Sequence, residues 1–203
     1  MTRRGMVVKI CGLTRVEDAR EAVEQGAMAV GFVFWPDSPR FVDPFRARAI
    51  AATLPPFVAA VGVFVNQSVS YVNHVASLVR LTAVQLHGEE TPSYALAVER
   101  PVIKAIVPRG QSLDDWPSRV TLLVDADDPI RKGGTGSKAD WAAAAAVAGK
   151  RRVLLAGGLT PENIAEAVST VRPFGVDVSS GVEAAPGIKD PRRLAALFRA
   201  LQS

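Results

Sequence analysis

The chain has 203 residues, 48% of them hydrophobic, which is enough for one well-filled domain but leaves no room for a comfortable second one. Its formal charge of +4 comes from scattered basic residues with no aromatic-interleaved basic stripe, a pattern that argues against nucleic-acid binding and agrees with steering of a small anion. The longest apolar run, 54–65, contains two prolines and is too short to span a bilayer, and no signal-peptide stretch is present. We therefore expect neither membrane association nor export.

Short β-branched runs alternate with longer helical patterns along the chain, which is typical of parallel strands connected by helices. The predicted strands are, in chain order, 7–11, 29–34, 59–64, 83–87, 102–106, 122–126, 153–156 and 176–179. Helix starts are indicated by a capping side chain before proline and by one capping box, at Asp43, Thr91, Thr160 and Asp190 and at Thr14 with Glu17. Eight strand–helix units predict an α/β fold, a single (β/α)8 TIM-barrel domain over 1–203.

Alternation within the strands indicates which side chains point into the barrel. In four strands one parity is purely apolar, and the other ends with Cys11, His87, Asp125 or Ser179. If the apolar parity faces the helices, these four side chains project inward at the C-terminal ends of their strands and converge on one mouth. The same inward parity contains further polar residues without an assigned role: Lys9, Gln85 and Asp177. Because a packed interior does not need this cluster of titratable groups, the pattern indicates a functional site.

Small residues form the turns after the last two predicted strands. Gly157 and Gly158 follow the seventh strand, and Ser179, Ser180 and Gly181 follow the eighth. Such turns let backbone N–H groups approach an anion, and the last two loops of a barrel often bind phosphate. Each turn taken singly could be only a tight turn, but the two together predict a phosphate site.

Six segments of the chain resemble the phosphoribosylanthranilate isomerase family in order and spacing. They are VKICGLTR at 8–15, GFVFWPDSPR at 31–40, VGVFVN at 61–66, VQLHGE at 84–89, GGTG at 133–136 and GVDVSSGVE at 175–183. The resemblance covers nearly the whole chain and shows no departure at a position that the family uses for chemistry. The variable stretch 107–118 falls where the fifth loop and helix are expected.

The resemblance implies a cofactor-free and metal-free Amadori rearrangement of N-(5-phosphoribosyl)anthranilate. By motif, Cys11 is the general base and Asp125 the general acid, while Arg40 holds the anthranilate carboxylate. The Gly157-Gly158 and 179–181 turns would bind the phosphate. The implied partner is a small phosphosugar substrate, with neither nucleic acid nor membrane, and the assembly is a monomer or a homodimer. A reducing cytoplasm fits a lone cysteine.

Each proposed role has an alternative. Cys11 could be a small core side chain, although its place at a strand end near helix N-termini, which favour a thiolate, argues for chemistry. Asp125 could cap the following loop, and Asp127 or Asp128 could then supply the acid. Arg40 could be a solvated loop cation. His87 could hydrogen-bond or shape the pocket, and GGTG at 133–136 is expected to form a mobile cover.

Two other functions remain open at this point. Another phosphosugar-binding barrel enzyme, such as a histidine-pathway isomerase or indole-glycerol-phosphate synthase, could share the phosphate turns, although the KICG segment at 9–12 argues against both. A non-catalytic phosphometabolite sensor could be built on the same barrel. Turnover of the substrate would distinguish an enzyme from a sensor.

Overall fold

A computed structural model describes residues 6–107, 113–125 and 140–202. Eight parallel strands form a closed barrel in chain order, and the last strand pairs with the first. The strands are β1 (Val7–Ile10), β2 (Ala29–Val33), β3 (Ala59–Phe64), β4 (Ala83–Leu86), β5 (Val102–Ile106), β6 (Thr121–Val124), β7 (Val153–Leu155) and β8 (Gly175–Val178). The predicted barrel is confirmed, and every predicted strand overlaps an observed one.

Helices connect the strands on the outside of the barrel. In the described ranges they are α1 (Val16–Gln25), α2 (Pro44–Ala51), α3 (Val69–Val79), α4 (Pro92–Ala97), α5 (Trp141–Ala148), α6 (Ile164–Val171) and α7 (Pro191–Ala200). Between β5 and β6 the described residues form only a 3-10 turn, Leu113–Asp115, where the repeating pattern predicted a full helix. None of the helices in these ranges combines the length and hydrophobicity that crossing a bilayer requires.

The segment between β8 and α7 contains structure that the sequence pattern did not predict. A 3-10 turn (Ser180–Val182) leads into a small antiparallel hairpin of β9 (Glu183–Ala185) and β10 (Ile188–Lys189). This hairpin folds back towards the loop after β1. The Gly187 carbonyl in the hairpin accepts a hydrogen bond from the Thr14 hydroxyl in that loop (2.7 Å). The last loop of the barrel is thereby tied to the first.

The predicted helix caps are partly confirmed. Asp43, Thr91 and Asp190 each accept hydrogen bonds from backbone N–H groups in the first turn of their helices. The prediction of a capping box at Thr14 and Glu17 was wrong, since α1 begins without a side-chain cap and the Thr14 hydroxyl binds the distant hairpin. The cap at Thr160 was also wrong, because α6 starts at Ile164.

The hydrophobic core has an outer layer and two inner clusters. The apolar parity of the strands packs against the helices in the large outer cluster, as the alternation predicted; its members include Val8, Ile10, Val84, Leu86, Leu122, Val124, Val176 and Val178. Inside the barrel, one cluster joins Cys11 to Val33 and Val63, and another contains Leu123 and Leu154. Few apolar side chains therefore pack inside the barrel, and polar side chains occupy its interior near the C-terminal ends of the strands.

Candidate active site

A cavity of about 640 Å³ lies at the C-terminal ends of the barrel strands. Eight of the nine predicted site residues line it: Cys11, Arg40, His87, Asp125, Gly157, Gly158, Ser179 and Ser180. The inward parity and the convergence of the strand ends on one mouth are therefore confirmed. Trp35, Val63 and Leu159 also line the cavity, which therefore has both apolar and polar walls.

Gly181 is the predicted site residue that does not line the cavity. A Cβ at this position would overlap the carbonyl of Leu159 in the loop after β7. Glycine therefore allows the loops after β7 and β8 to pack directly against each other. Its contribution is to the shape of the two adjacent turns.

Cys11 is buried at the end of β1, and its side chain reaches the cavity. Its backbone N–H donates to the carbonyl of Val178 (2.8 Å), which holds the residue against β8. Burial raises the pKa of the Cys11 thiol; Lys9 and Lys189 oppose this rise and Asp177 adds to it, so that the pKa lies above the ordinary value. The expectation that helix N-termini favour a thiolate is thus not met, because desolvation outweighs the nearby positive charge.

A buried ion pair lies directly beneath Cys11. Lys9 on β1 and Asp177 on β8 face each other across the strand pair, and Lys9 Nζ lies 2.8 Å from Asp177 Oδ2. Burial lowers the pKa of Lys9, but the charges of Asp177 and Cys11 and their hydrogen bonds outweigh it and raise the pKa above its ordinary value. Lys9 is therefore a permanent buried cation at the floor of the site.

Polar contacts continue from Lys9 to the opposite wall of the cavity. Lys9 Nζ also donates to Gln85 Oε1 (2.9 Å), and Gln85 Nε2 lies 2.9 Å from His87 Nδ1. The other ring nitrogen, His87 Nε2, lies 3.3 Å from Asp125 Oδ2. The floor beneath Cys11 is therefore joined to Asp125 through Gln85 on β4 and His87, the residue that follows this strand.

Arg40 forms a second polar cluster at the rim. Its Nε and Nη2 atoms bind both carboxylate oxygens of Glu183, at 2.9 Å and 2.7 Å for the shortest contacts. Lys189 Nζ lies 2.7 Å from Glu183 Oε1 and also donates to the carbonyl of Ser179 (3.1 Å). Burial raises the pKa of Glu183, but Arg40 and Lys189 outweigh it and hold that pKa below its usual range. The Arg40 guanidinium is thus fixed in orientation, which a solvated loop cation would not be.

A further buried ion pair supports the loop that follows His87. Lys104 Nζ on β5 lies 2.8 Å from Glu90 Oε2 and donates to the carbonyl of Gly88 (2.6 Å). Glu90 in turn accepts hydrogen bonds from the backbone N–H groups of Gly88 and Asn66. This cluster fixes the end of β4 without contacting the cavity.

The turn after β7 has the backbone geometry of an anion site. Gly157 and Gly158 have φ values of +87° and +62°, in the region that favours glycine. Asn163 fixes the turn, donating from Nδ2 to the Gly158 carbonyl (2.9 Å) and accepting from the Thr160 N–H (2.8 Å). Within the described residues, the N–H groups of Gly157 and Gly158 donate no hydrogen bond. They remain available to an anionic ligand.

Sequence reasoning missed several residues of this site. Lys9, Gln85 and Asp177 were predicted to point into the barrel, but the hydrogen bonds that join them were not predicted. The contacts of Glu183 and Lys189 with Arg40 and the Ser179 turn were not predicted, because the hairpin that carries both residues was not predicted. The alternative acids Asp127 and Asp128 and the expected cover at 133–136 lie outside the described residues. In the described ranges, no group of three or more His, Cys, Asp or Glu side chains is placed to hold a metal ion.

Comparison with known sequences agrees with this geometry. Residues 8–200 match the family model described as N-(5'-phosphoribosyl)anthranilate (PRA) isomerase. The chain is 53% identical to the N-(5'-phosphoribosyl)anthranilate isomerase of Geobacter metallireducens over 195 residues, covering 95% of this chain and 96% of the relative. It is 50% identical to that of Citrifermentans bemidjiense over 195 residues, 94% of each chain.

Solved structures share the same barrel. A phosphoribosyl anthranilate isomerase from Thermus thermophilus superposes with a TM-score of 0.88 at 45% identity, covering 97% of this chain and 98% of that one. Another is described as an isomerase in complex with reduced 1-(o-carboxyphenylamino)-1-deoxyribulose 5-phosphate; its TM-score is 0.83 at 41% identity, with coverage of 97% and 98%. A third is described as monomers generated from the dimeric Thermotoga maritima enzyme, with a TM-score of 0.86, 40% identity and coverage of 97% and 98%.

Proposed function

The chain belongs to the N-(5'-phosphoribosyl)anthranilate isomerase family, and on that premise we propose how its own residues carry out the reaction. The activity is the isomerisation of N-(5'-phosphoribosyl)anthranilate to 1-(2-carboxyphenylamino)-1-deoxyribulose 5-phosphate in tryptophan biosynthesis. The observation that carries the assignment of roles is the placement of Cys11 and Asp125 on the walls of one cavity. An acid and a base on opposite walls are what this isomerisation needs.

Asp125 is the general acid that opens the ring. It delivers a proton to the furanose oxygen, the bond between that oxygen and C1' breaks, and the electron pair on the anthranilate nitrogen forms an iminium with C1'. The aspartate lies at the end of β6, in contact with His87. Its inward parity favours it over Asp128. Asp127 shares that parity only if the strand runs two residues longer, and Pro129 argues against such an extension.

Cys11 is the general base in the second step. Its thiolate removes the proton on C2', and the electrons of that bond form an enolamine that tautomerises to the product ketone at C2'. Because burial raises the pKa of the thiol, the enzyme works through a minor thiolate fraction near neutral pH. The reaction opens the ring C–O bond and moves protons within the substrate without any external oxidant or reductant, so we expect it to need neither metal nor cofactor.

The two charged ends of the substrate would bind to two different groups that line the cavity. Arg40 would hold the anthranilate carboxylate, supported by the carboxylate of Glu183, which fixes Nε and Nη2 and leaves Nη1 without a hydrogen bond to the described residues. The phosphate would bind the Gly157-Gly158 turn and the adjacent Ser179 and Ser180. Both anchors line the same cavity as Cys11 and Asp125, so the bound sugar would be within that cavity.

A fluorescence assay tests this function directly. Phosphoribosylanthranilate is fluorescent, and its isomerisation removes that fluorescence, so the purified chain should cause a decay whose initial rate is proportional to enzyme concentration. Cys11→Ser protein, prepared in parallel, controls for spontaneous breakdown of the substrate. A phosphometabolite sensor on the same barrel would bind the substrate without accelerating the decay, and this result would contradict the assignment.

Assembly and location belong to the same proposal. A monomer and a homodimer are both consistent with the fold, and one relative is described as dimeric. Sedimentation velocity at several protein concentrations distinguishes the two states.

A cytoplasmic location is supported by the single free and buried Cys11, which suits a reducing compartment, and by the metabolic role of the family.

A further inference from the structure

The contacts between Lys9 and Gln85 determine which way the glutamine amide points. Lys9 has a raised pKa and is therefore an ammonium group, which has donors only. The Gln85 atom that faces Lys9 Nζ at 2.9 Å must accordingly be the carbonyl oxygen. Lys9 is itself held from the other side by Asp177 at 2.8 Å, so it cannot turn away. Both side chains are buried, and solvent does not compete for these bonds.

The orientation of Gln85 in turn determines the protonation state of His87. With its oxygen on Lys9, the amide presents its NH₂ group to His87 Nδ1 at 2.9 Å. The NH₂ group donates only, so Nδ1 must be the acceptor and carry no proton. An imidazolium or an Nδ1–H tautomer would place two N–H groups against each other. The remaining proton of the neutral ring is therefore on Nε2, which faces Asp125.

This tautomer has a consequence for the acid. The Nε2–H group donates to Asp125 Oδ2 across 3.3 Å, a long contact of the kind that tightens when substrate binds. When the carboxyl group is protonated, Oδ2 accepts this bond and the acidic proton is carried by Oδ1. With the opposite tautomer, Nε2 would accept and would compete with the substrate for that proton.

We propose that Lys9 and Gln85 are positioning residues that hold His87 as the neutral Nε2–H tautomer, so that His87 donates to Asp125 and the acidic proton is carried by Oδ1. Gln85 does not touch the reacting atoms and acts through His87, whereas Lys9 also contacts the Cys11 thiol, so its part in positioning His87 is measured by the His87 tautomer. The inference deepens the proposed function, because it rests on Asp125 as the general acid. It gives Lys9 and Gln85 a role in catalysis in addition to filling the barrel.

The tautomer is observable by long-range ¹H–¹⁵N NMR of the imidazole nitrogens. The chain has two histidines, and the second, His74, is exposed on α3 and serves as an internal reference. At neutral pH, we expect His87 to show a protonated Nε2 and an unprotonated Nδ1. An Nδ1–H tautomer or an imidazolium in the wild-type protein would overturn the proposal.

Two variants test the role of Gln85. Gln85→Glu keeps the shape but replaces the donor at Nδ1 with a carboxylate oxygen, so His87 should gain a proton on Nδ1 and its NMR pattern should change while that of His74 does not. Gln85→Leu removes both hydrogen bonds, so His87 should sample both tautomers. An unchanged His87 pattern in Gln85→Glu would overturn the proposal.

Lys9→Met tests the first contact of the relay, by which we mean the hydrogen bonds that run from Lys9 through Gln85 and His87 to Asp125. Without the ammonium group the amide of Gln85 can turn, and the His87 signals should broaden or split. The matched control is Lys104→Met, which removes another buried lysine with an acidic partner, one whose Nζ has no hydrogen bond with Gln85, and should leave the His87 tautomer unchanged. If both lysine variants change the pattern equally, the effect reflects loss of a buried ion pair and the role of Lys9 is wrong. Gln85→Glu still tests the relay if Lys9→Met does not fold.

Kinetics separate this inference from the role of Asp125. In Gln85→Glu, kcat should fall roughly 10²-fold with KM within a few-fold, and its pH profile should shift. In a His87→Phe background, the same Gln85 substitution should have no further effect. An NMR pattern as expected together with full activity of Asp125→Asn would refute the acid assignment alone, whereas a wrong tautomer with an inactive Asp125→Asn would refute the relay alone.

Discussion

Gly31 on β2 packs directly against the thiol of Cys11 on the neighbouring strand. A Cβ at position 31 would lie 2.6 Å from Cys11 Sγ and 3.1 Å from Lys9 Cε. Real Cβ atoms do not approach so closely, so any other residue at this position would push the thiol away from its present place. Glycine at position 31 on β2 therefore leaves the space that the Cys11 thiol, the proposed base, occupies.

Gly31→Ala should reduce turnover by displacing Cys11. Overpacking a buried site costs about 1–3 kcal/mol of stability, and a displacement of about 1 Å at a reacting group can cost roughly 10²-fold in rate. We expect kcat to fall by about that factor, with KM little changed. The control is Gly149→Ala at the end of α5, where a Cβ would make only ordinary contacts and φ is −68°; it should keep full activity. Normal turnover by Gly31→Ala would show that the thiol position does not matter.

The ionisation of Cys11 should occur above the range of an ordinary thiol. Burial raises its pKa more than Lys9 and Lys189 lower it, so half-ionisation should lie at a higher pH than that of an exposed thiol, and kcat/KM should rise as the pH is raised from neutral. Because Cys11 is the single cysteine, the difference in ultraviolet absorbance between the wild type and Cys11→Ser reports the thiolate and removes the contribution of the two tyrosines. Half-ionisation below neutral pH would mean that the positive charges outweigh burial.

Cys11→Ser should lose most of its activity. A serine hydroxyl is far harder to deprotonate than a thiol, so we expect kcat to fall at least about 10²-fold with modest change in KM. Steady-state kinetics at saturating substrate measure the loss, and circular dichroism checks that the variant is folded. Turnover close to that of the wild type would return Cys11 to the role of a small core residue.

Arg40→Ala should mainly weaken substrate binding. The change removes a charge-assisted contact worth about 1.5–3 kcal/mol, which corresponds to a rise in KM of roughly 10- to 150-fold. Glu183 keeps Lys189 as a partner in this variant, so the hairpin should remain folded. Arg40→Lys is the informative control, because it keeps the charge but cannot make the bidentate contact with Glu183 and should be intermediate. Unchanged KM and kcat/KM in Arg40→Ala would show that the carboxylate binds elsewhere.

The sequence predicted the barrel and the main cavity residues because both follow from short-range patterns. Strand alternation is enough to place Cys11, His87, Asp125 and Ser179 at one mouth, since successive side chains point to opposite faces. The network beneath them was not predictable in this way. The contact between Lys9 and Asp177 joins residues 168 positions apart, and nothing in either strand specifies its partner.

Errors in the prediction have the same origin. Thr14 and Glu17 have the spacing of a capping box, but the Thr14 hydroxyl binds Gly187, 173 residues away, because the hairpin after β8 folds over the first loop. The expected lowering of the Cys11 pKa relied on nearby helix ends, whereas the structure shows that burial dominates. In both cases a long-range contact or desolvation overrides a local rule.

The central claim is that Asp125 delivers the proton that opens the ring, and Asp125→Asn tests it most directly. An amide of the same shape can hydrogen-bond to the ring oxygen but cannot supply an acidic proton. We predict that KM and inhibitor affinity stay within a few-fold while kcat falls by roughly 10²–10⁴-fold, and that Asp127→Asn and Asp128→Asn, measured in parallel at saturating substrate, change little. A large loss of kcat in Asp127→Asn or Asp128→Asn together with an active Asp125→Asn would contradict the account.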